Sequence, residues 1–437
     1  MNIKSEKSQA LLNMKKILFP LILVFFSTCI FYYINADIEE FHHWPTLKFK
    51  TGDSTTYLGT GNWLLNKAKF SDVERNVATR PFLYPLILAS LESIHPWAVI
   101  GFQFFLWVSQ ILLVYYAALL ISRSRIASFI LAFFCLSTLS PIGMTLHALT
   151  ETVSSFLLTS YVVSIFYYVK KDRKNIFLFL GMLSLSLSSV VKPSYLYIFI
   201  FNAVLIIFIW RKRSVVLIAS ILICLLPIFF QYKIMKEKFN LNKISVISTV
   251  TINDYFLSYF ELKKRGLVKN KDSKYHIGWI RDLRRDYFSN MVKQEGYVAS
   301  VRKLNNELIL NFKLYPYAVI STFFDLICEN SVQSSHYLQS KKNNEALYAV
   351  ISLWQSRILL FINIFSLLLL LQEALWKKRS LLLKKDFFII SLSILSILFF
   401  HYISSGVSIG QGDRFLIPIY FISYLCFFYQ AVAKLTD

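Results

Sequence analysis

The most regular feature of the chain is a series of long apolar runs separated by short polar turns. Each run has about 17 to 25 residues, the length that a helix needs to cross roughly 30 Å of hydrocarbon. The runs are continuous rather than alternating, so they predict helices and not the strands of a membrane β-barrel. This pattern indicates an all-α polytopic membrane protein with about ten transmembrane helices.

The predicted spans form two groups, one on each side of a long polar segment. We place them at residues 17–34, 97–121, 126–145, 150–169, 176–191, 194–210, 214–231, 348–373, 386–403 and 414–433. The chain then divides into a cytoplasmic N-terminus (1–16), a first membrane part (17–230) that includes an outer loop (35–80), an extracytoplasmic segment (231–345) and a second membrane part (346–437). The extracytoplasmic segment is expected to be mainly helical. Interfacial helices are predicted at 81–94, beside the outer loop, and at 315–328.

Basic residues at the ends of the apolar runs predict the orientation of the chain. Lys15 and Lys16 precede the first span, and Arg211, Lys212 and Arg213 follow the sixth. Because cytoplasmic loops are enriched in Lys and Arg, both termini are predicted to be cytoplasmic and residues 35–80 to lie outside. The long basic segment also lies outside, since long loops escape this rule. We expect a multi-pass protein of the inner (cytoplasmic) membrane.

Composition supports a membrane protein and changes the interpretation of the charge. Hydrophobic residues make up 56% of the chain and charged residues 16%, whereas a soluble domain is about a quarter charged. The net charge of +22 is concentrated in short clusters beside the apolar runs, so it does not predict a nucleic-acid partner. The cysteines are scattered without metal-ligand spacing: Cys29, Cys135, Cys224, Cys328 and Cys426.

Several ionisable residues are predicted at the outer ends of the spans. They are Asp53, Tyr57 and Arg80 in the first outer loop, Glu151 at the start of the fourth span, Lys192 at the end of the fifth, and Asp413 and Arg414 at the start of the tenth. Charges at membrane depth are costly and usually mark a functional site. A carboxylate suits a general base, and Arg or Lys suits a lipid phosphate with its developing charge.

Each of these residues also has a purely structural interpretation. Lys192 and Arg414 are placed where long cationic side chains anchor helix ends at the membrane surface. Glu151 suits the first turn of a helix, where the macrodipole favours acids. Asp53 precedes a helical run and suits an N-cap. These alternatives remain open on sequence grounds.

Other polar residues add less to the picture. His95, His147 and His401 are predicted near the same outer face, and Arg357 lies inside or at the outer mouth of the eighth span. His42 and His43 stand beside two glutamates, but adjacent side chains point apart and make a poor metal site. No metal and no cofactor is therefore predicted, although a divalent metal is not ruled out by the sequence.

Four segments, in order along the chain, resemble the C-type (GT-C) integral-membrane glycosyltransferases. The likeness is to the bacterial branch related to protein O-mannosyltransferases and lipid A aminoarabinose transferases. The segments are GDSTTYLGTGNWLL with ATRPFLYPLILASL (52–65 and 78–91), HALTETVSSFLL (147–158), SLSSVVKPSYLYIFI (186–200) and GDRFLIPIYFISYL (412–425). Together they extend over most of the predicted membrane part.

This resemblance implies a fold, an activity and roles for individual residues. Asp53 matches the loop acid that acts as general base, and Arg80 and Lys192 match basic positions that hold the lipid phosphate. Glu151 and Arg414 match positions that line the same cavity, which Tyr57 and Asp413 would share; Arg414 is also a candidate phosphate ligand. The enzyme would move a sugar from a polyprenyl-phosphate donor to a hydroxyl of a glycan, lipid or protein, with inversion and without a metal, at the outer face.

The chain also departs from the pattern of that group. Many relatives have an acid pair where this chain has Asp53-Ser54, so Asp37, Glu39 or Glu40 upstream would be available to share the role. Two other functions remain open: a polysaccharide polymerase or ligase that uses Arg281, Arg284, Arg285 and His276 of the long segment, and a glycolipid transporter. The clustering of charge at the outer face favours an enzyme over the transporter.

Overall fold

A computed structural model describes the backbone of residues 3–35, 52–170, 174–209, 214–258, 261, 273–317, 320, 345–376, 385–405 and 412–435. Within these ranges a smaller set of side chains is described, and the structural statements below refer to that set. The outer-loop acids Asp37, Glu39 and Glu40 and the pair His42-His43 lie outside the described residues. So does nearly all of the interfacial helix expected at 315–328.

Every regular element in the described part of the chain is helical, as the apolar runs predict. The helices before the polar segment are α1 (Ile3–Asn35), α2 (Gly52–Leu64), α3 (Phe70–Thr79), α4 (Leu83–Ile94), α5 (Pro96–Ser122), α6 (Arg125–Leu136), α7 (Leu139–Met144), α8 (Glu151–Lys170), α9 (Asn175–Val191), α10 (Leu196–Ile209), α11 (Ser214–Cys224) and α12 (Leu226–Phe239). A 3-10 turn, Pro193–Tyr195, joins α9 to α10.

The remaining helices belong to the polar segment and the second membrane part. They are α13 (Ile247–Thr251), which continues into the π-helix Ile252–Leu257, then α14 (Ser273–Leu310), α15 (Glu345–Trp376), α16 (Lys385–Ser405) and α17 (Tyr420–Leu435). The 3-10 segment Gly412–Ile419 leads into α17. Gly296, with φ of 77°, interrupts α14 with a kink that a side chain would strain.

Four helices in the described part are long and apolar enough to cross a membrane. These stretches are Pro96–Ser122, Glu151–Lys170, Val350–Leu369 and Leu416–Ala433. A fifth span results if the bent pair Ile218–Cys224 and Leu226–Phe239, which turns by 41°, crosses as one unit. The other predicted spans coincide with shorter apolar helices, so helix length alone does not give the expected ten. The fold is that of a helical membrane protein.

The third predicted span, 126–145, is not one helix. It is broken between α6 and α7 at Ser137 and Thr138. Both hydroxyls donate to the Phe134 carbonyl (2.8 and 3.3 Å) and so compete with the backbone hydrogen bonds that would continue the helix. Pro141 follows within the next turn and has no N–H to donate. The amide of Gln355 in α15 contacts the break, accepting from Leu139 N and donating to the Ser137 carbonyl (both 2.9 Å).

Two further predicted spans have irregular ends for related reasons. The seventh bends at Leu225, two residues before Pro227 in the first turn of α12. The tenth begins as the 3-10 segment Gly412–Ile419, which contains Pro418. In both places a serine of another helix donates to the backbone: Ser186 of α9 to the Cys224 carbonyl, and Ser155 of α8 to the Ile417 carbonyl.

The largest apolar core joins α5, α8, α9, α10, α16 and α17. A second core lies in the polar segment and includes Met235, Phe256, Phe288 and Leu304, together with Val77 of α3. A third, smaller core connects α2 and α4 with the ends of the longer helices. This third core carries the candidate site.

Candidate functional site

Asp53 and Arg80, the two charged site candidates in the predicted outer loop, form an ion pair. Arg80 Nη2 lies 2.6 Å from Asp53 Oδ1. The same guanidinium donates to Thr56 Oγ1 through Nε (2.9 Å) and to the Tyr57 hydroxyl through Nη1 (3.1 Å). Its central carbon also lies 4.4 Å from the centre of the Tyr57 ring. Contacts to three residues of one helix therefore fix the orientation of Arg80.

The local sequence explains why these groups meet. Asp53 lies in the first turn of α2, where the helix macrodipole stabilises a negative charge. Thr56 and Tyr57 follow three and four residues later, so they lie on the same face of the helix. Arg80 ends α3 in an extended conformation (φ −113°, ψ 108°), which is the conformation favoured before Pro81. This bend directs the arginine back towards α2.

Several hydrogen bonds fix the junction that carries Arg80. Gln231 of α12 accepts from Phe82 N (3.0 Å) and donates to the Ile244 carbonyl (2.8 Å). The Ser245 hydroxyl donates to the Thr79 carbonyl (2.7 Å), and Val246 N donates to the Ala78 carbonyl (2.9 Å). The residues on both sides of Arg80 are thus attached to the start of the polar segment.

Helices α2 and α4 pack closely beside the ion pair. A Cβ atom at Gly61 would collide with the Pro85 carbonyl, so this approach requires glycine. The Tyr57 and Tyr84 rings meet edge to face at 5.0 Å. The exposed fraction of the side chain is 39% for Asp53 but only 13% for Arg80. The carboxylate is therefore the accessible member of the pair.

Glu151, the second predicted acid, begins α8 and is buried. It follows a non-helical stretch, residues 145–150, whose side chains are all buried. Polar groups from other helices bond to this stretch: Ser54 donates to the Ala148 carbonyl (2.9 Å) and Gln103 to the His147 carbonyl (2.8 Å). Ser54 directly follows Asp53, so the start of α2 is attached to the start of α8.

Lys192 ends α9 and lies beside Tyr195 of the following 3-10 turn. Its ammonium group is 5.7 Å from the centre of the Tyr195 ring. The Tyr195 hydroxyl lies 3.3 Å from Nδ1 of His401 in α16, and Glu151 interacts electrostatically with the same tyrosine. Lys192, Glu151 and His401 thus come together around Tyr195 from three separate helices.

A single apolar cluster, which we call the shared cluster, lies between the two polar groups. It contains Tyr57, Leu58, Tyr84, Leu88, Ala89, Val99, Leu106, Met144, Ala148, Leu149, Val153, Leu157, Val191 and Ile417. Tyr57 contacts Arg80, Val153 lies two residues after Glu151, and Val191 immediately precedes Lys192. The structure therefore brings Asp53, Arg80, Glu151 and Lys192 to the borders of one cluster.

The structure leaves two predicted site residues without a described side chain. Asp413 and Arg414 belong to the 3-10 segment Gly412–Ile419, but their side chains lie outside the described residues. The end of that segment packs on α8, because Ser155 donates to the Ile417 carbonyl (3.3 Å). Ile417 belongs to the shared cluster. The backbone of this segment thus approaches the same region.

The histidines predicted near this face have different positions. His401 joins the group around Tyr195, whereas His95 is exposed and caps α5 by accepting from Trp97 N (3.2 Å). His147 is buried in the stretch that precedes α8. Sequence reasoning did not single out Thr56 or Tyr195; their positions next to Arg80 and Lys192 depend on contacts between distant parts of the chain.

A second group of paired charges lies in the polar segment. Arg285 Nε is 2.6 Å from Asp254 Oδ2, and Arg284 Nη2 is 2.6 Å from Glu307 Oε2. Arg284 also donates to Asn253 Oδ1 (3.1 Å), and Asn253 donates back to the Arg284 carbonyl (2.9 Å). These contacts join the π-helix to α14. The side chains of Arg281 and His276 lie outside the described residues.

The fold and its apolar helices define the chain as a helical membrane protein. Among the described residues, no group of three or more His, Cys, Asp or Glu side chains has the geometry to hold a metal ion. No protein-family model, curated protein or solved structure significantly matches the chain.

Proposed function

We propose that the protein is an inverting glycosyltransferase that moves a sugar from a polyprenyl-phosphate donor to an acceptor hydroxyl. The observation that carries this proposal is the Asp53–Arg80 pair beside the shared cluster, with Glu151 and Lys192 on other borders of that cluster. Carboxylates and cations in one region are the groups that a hydroxyl nucleophile and a phosphate leaving group require. The likeness to GT-C enzymes points to the same activity.

In the proposed reaction, the acceptor oxygen attacks the anomeric carbon while Asp53 takes the hydroxyl proton. The bond from the anomeric carbon to the phosphate oxygen breaks, and its electron pair leaves with the polyprenyl phosphate. Arg80 orients the Asp53 carboxylate through their ion pair. Lys192, Arg80 and Arg414 stabilise the negative charge of the leaving phosphate. Glu151, Tyr57 and Asp413 line the space in which donor and acceptor meet.

The proposal includes an arrangement in the membrane. About ten helices cross the inner membrane, both termini are cytoplasmic and the site faces outwards, where a polyprenyl-linked sugar and its acceptor meet. The acceptor is a glycan, a lipid or a protein. Asp53 either acts alone or shares the base role with Glu39 or Glu40. No cofactor takes part in the proposed reaction.

One observation favours this proposal over a polysaccharide polymerase or ligase. That alternative assigns catalysis to arginines of the long polar segment, yet Arg285 forms an ion pair that joins α14 to the π-helix, and Arg284 forms one with Glu307 across the kink within α14. Arginines in such ion pairs stabilise the fold of the polar segment. A glycolipid transporter is less favoured, because Asp53, Glu151 and Lys192 lie at helix ends.

The first experiment measures consumption of the donor. Purified protein in proteoliposomes is supplied with polyprenyl-phosphate sugars and a membrane extract that contains acceptors, and mass spectrometry follows the release of polyprenyl phosphate. We expect one donor to be consumed only when protein and acceptor are both present. Consumption of no donor with any acceptor extract would count against the proposal.

A second experiment examines the role of Lys192. Charge reversal in Lys192→Glu is expected to weaken donor binding more than it lowers turnover at saturating donor, because the cation contacts the phosphate in the bound state. Binding and turnover are measured separately with the same donor. Unchanged donor affinity would remove Lys192 from the phosphate site.

A further inference from the structure

Lys243 is a half-buried cation at the start of the polar segment, between α12 and α13. Its ammonium nitrogen lies 3.4 Å from Oγ1 of Thr249. Within the described part of the chain, the Thr249 hydroxyl is the one polar contact of this side chain, and no carboxylate pairs with it. Burial lowers the pKa of Lys243 from its usual value, and no neighbouring acid opposes that shift. A partly desolvated cation without an acid is costly, so a bound anion would stabilise it.

The backbone next to Lys243 is attached to the residue before Arg80. The Ser245 hydroxyl donates to the Thr79 carbonyl (2.7 Å). The same hydroxyl accepts from Ile247 N at the start of α13 (3.0 Å). One serine, two residues after Lys243, thus joins the end of α3 to the start of α13.

Helix α13 connects the surroundings of Arg80 with those of Lys192. It packs against α3, which ends beside Arg80, and against the 3-10 turn Pro193–Tyr195, which directly follows Lys192. Thr249, the partner of Lys243, is buried on this short helix. Lys243 thus contacts a helix whose other neighbours lead to the two described cations of the candidate site.

The charges of the candidate site leave room for a further cation. Arg80 is paired with Asp53, and Lys192 and Glu151 both lie around the Tyr195 ring. These two cations and two acids sum to zero, so together they give little net attraction for an anion. Lys243 would add the positive charge that this set lacks.

We propose that Lys243 is a further ligand for the phosphate of the donor. This inference rests on the proposed function, and it gives the polar segment a part in donor binding. The phosphate gains negative charge when its bond to the sugar breaks, and a phosphate monoester carries about −1.5 to −2 at neutral pH. An ammonium group has three donors on a flexible stem, so it can stay in contact with the phosphate as this charge develops.

The test is a binding titration of the full-length protein in a neutral detergent, measured by native mass spectrometry. The probe is undecaprenyl phosphate, with undecaprenol as the lipid that lacks a phosphate, and phosphatidylglycerol and inorganic phosphate as competitors. Lys243→Met and Lys243→Gln remove the charge, and Lys243→Arg keeps it. Lys236→Gln, at an exposed lysine of α12, is the matched control. Thermal unfolding without ligand identifies the folded variants, and donor turnover is measured on the same preparations.

We expect both neutral variants to bind undecaprenyl phosphate about five- to tenfold more weakly than wild type, the effect of losing a contact to a charged group. Lys243→Arg and Lys236→Gln should bind it as wild type does, because each keeps the charge at position 243. Undecaprenol should bind equally to all of these proteins, since it has no phosphate for Lys243 to contact.

Equal affinity for undecaprenyl phosphate in wild type and in a folded neutral variant would overturn the proposal, whether or not wild type turns over a donor. Displacement of this lipid by phosphatidylglycerol or inorganic phosphate at comparable concentrations would also overturn it, because the site would then not select the donor. Weaker binding in the neutral variants, with no donor turnover in wild type, would support the phosphate contact and count against the transferase instead.

Discussion

Two aspartate–arginine pairs, Asp53–Arg80 of the candidate site and Asp254–Arg285 of the polar segment, use the same chemistry in opposite arrangements. In both, an arginine lies 2.6 Å from an aspartate oxygen. At Arg80 and Asp53 the arginine is 13% exposed and the acid 39%; at Arg285 and Asp254 the arginine is 37% exposed and the acid 4%. Only the first arrangement offers a carboxylate to a substrate. The second places its carboxylate inside the protein, where it can serve only the fold.

The surroundings of the two pairs strengthen this contrast. Asp254 also accepts from Asn253 (3.1 Å), and the whole group joins two helices of the polar segment. Arg80 is fixed instead by Thr56 and Tyr57, at a junction between short helices and the membrane bundle. A fixed arginine beside an accessible acid is preorganised for chemistry. An accessible arginine beside a buried acid is a structural ion pair.

The largest expected effect is on turnover in Asp53→Asn. If Asp53 is the base, its loss should lower kcat by about 10²- to 10⁴-fold, which is the usual contribution of a general base. Donor consumption in proteoliposomes measures this, with circular dichroism as the check on folding. Asp254→Asn is the matched control, because it makes the same chemical change at a buried pair, and its folded fraction should keep the wild-type kcat.

The second expected effect is on stability, where Asp254→Asn should have a larger effect than Asp53→Asn. Asp254→Asn should lower the free energy of unfolding by about 1–3 kcal/mol, since it disrupts a buried hydrogen-bonded charge. Asp53→Asn should change stability less, because its carboxylate is partly exposed and solvent screens the pair. Thermal unfolding in detergent gives both values. A larger loss in Asp53→Asn than in Asp254→Asn would mean that the first pair is the structural one.

A smaller effect is expected from Tyr57→Phe. This change removes the hydroxyl that accepts from Arg80 but retains the ring beneath the guanidinium. We expect kcat to fall by about three- to tenfold, in line with the net contribution of one ordinary hydrogen bond, about 0.5–1.5 kcal/mol. The affinity for the donor should change less than kcat. If Tyr57→Phe matches wild type in both, the hydroxyl has no part in orienting Arg80.

The smallest expected effect is on how the stability of the polar segment depends on pH. Burial, together with nearby Glu74, raises the pKa of Tyr297 to about 12 from the usual 10.0, and nearby Arg75 opposes the shift. The unfolded chain therefore loses this proton first as pH rises. The stabilisation from neutral Tyr297 is complete below pH 10 and is lost between about pH 10 and 12. Tyr297→Phe should make unfolding in this window less steep with pH; an unchanged slope would contradict the shift.

Much of the helical pattern could be predicted because membrane spans are encoded locally. Each predicted span coincides with one or two helices, since a long apolar run needs no partner to become helical. The break in the third span has local causes in Ser137, Thr138 and Pro141. The partner of its free backbone groups could not be predicted, because Gln355 of α15 comes more than two hundred residues later and bonds to both sides of the break.

The candidate site could also be predicted only in part from the sequence. Asp53, Arg80, Glu151 and Lys192 stand out in the sequence because they are charges at the predicted outer side of the spans, away from the basic clusters at the cytoplasmic ends. The partners that orient them do not stand out: Thr56 and Tyr195 are ordinary residues until the fold brings them to a charge. Buried glutamines are a related case, since Gln103 and Gln231 each bond to the backbone of another element. Such contacts depend on the tertiary structure.

The central claim, that the Asp53 carboxylate serves transfer of a polyprenyl-linked sugar, is most directly tested in cells. A deletion strain is complemented with wild type, Asp53→Asn or Asp254→Asn at matched protein levels, and mass spectrometry measures polyprenyl-phosphate sugars and surface glycans. We predict that the deletion and Asp53→Asn accumulate one polyprenyl-phosphate sugar and lack one surface sugar, whereas wild type and Asp254→Asn restore both. Full restoration by Asp53→Asn would contradict the claim.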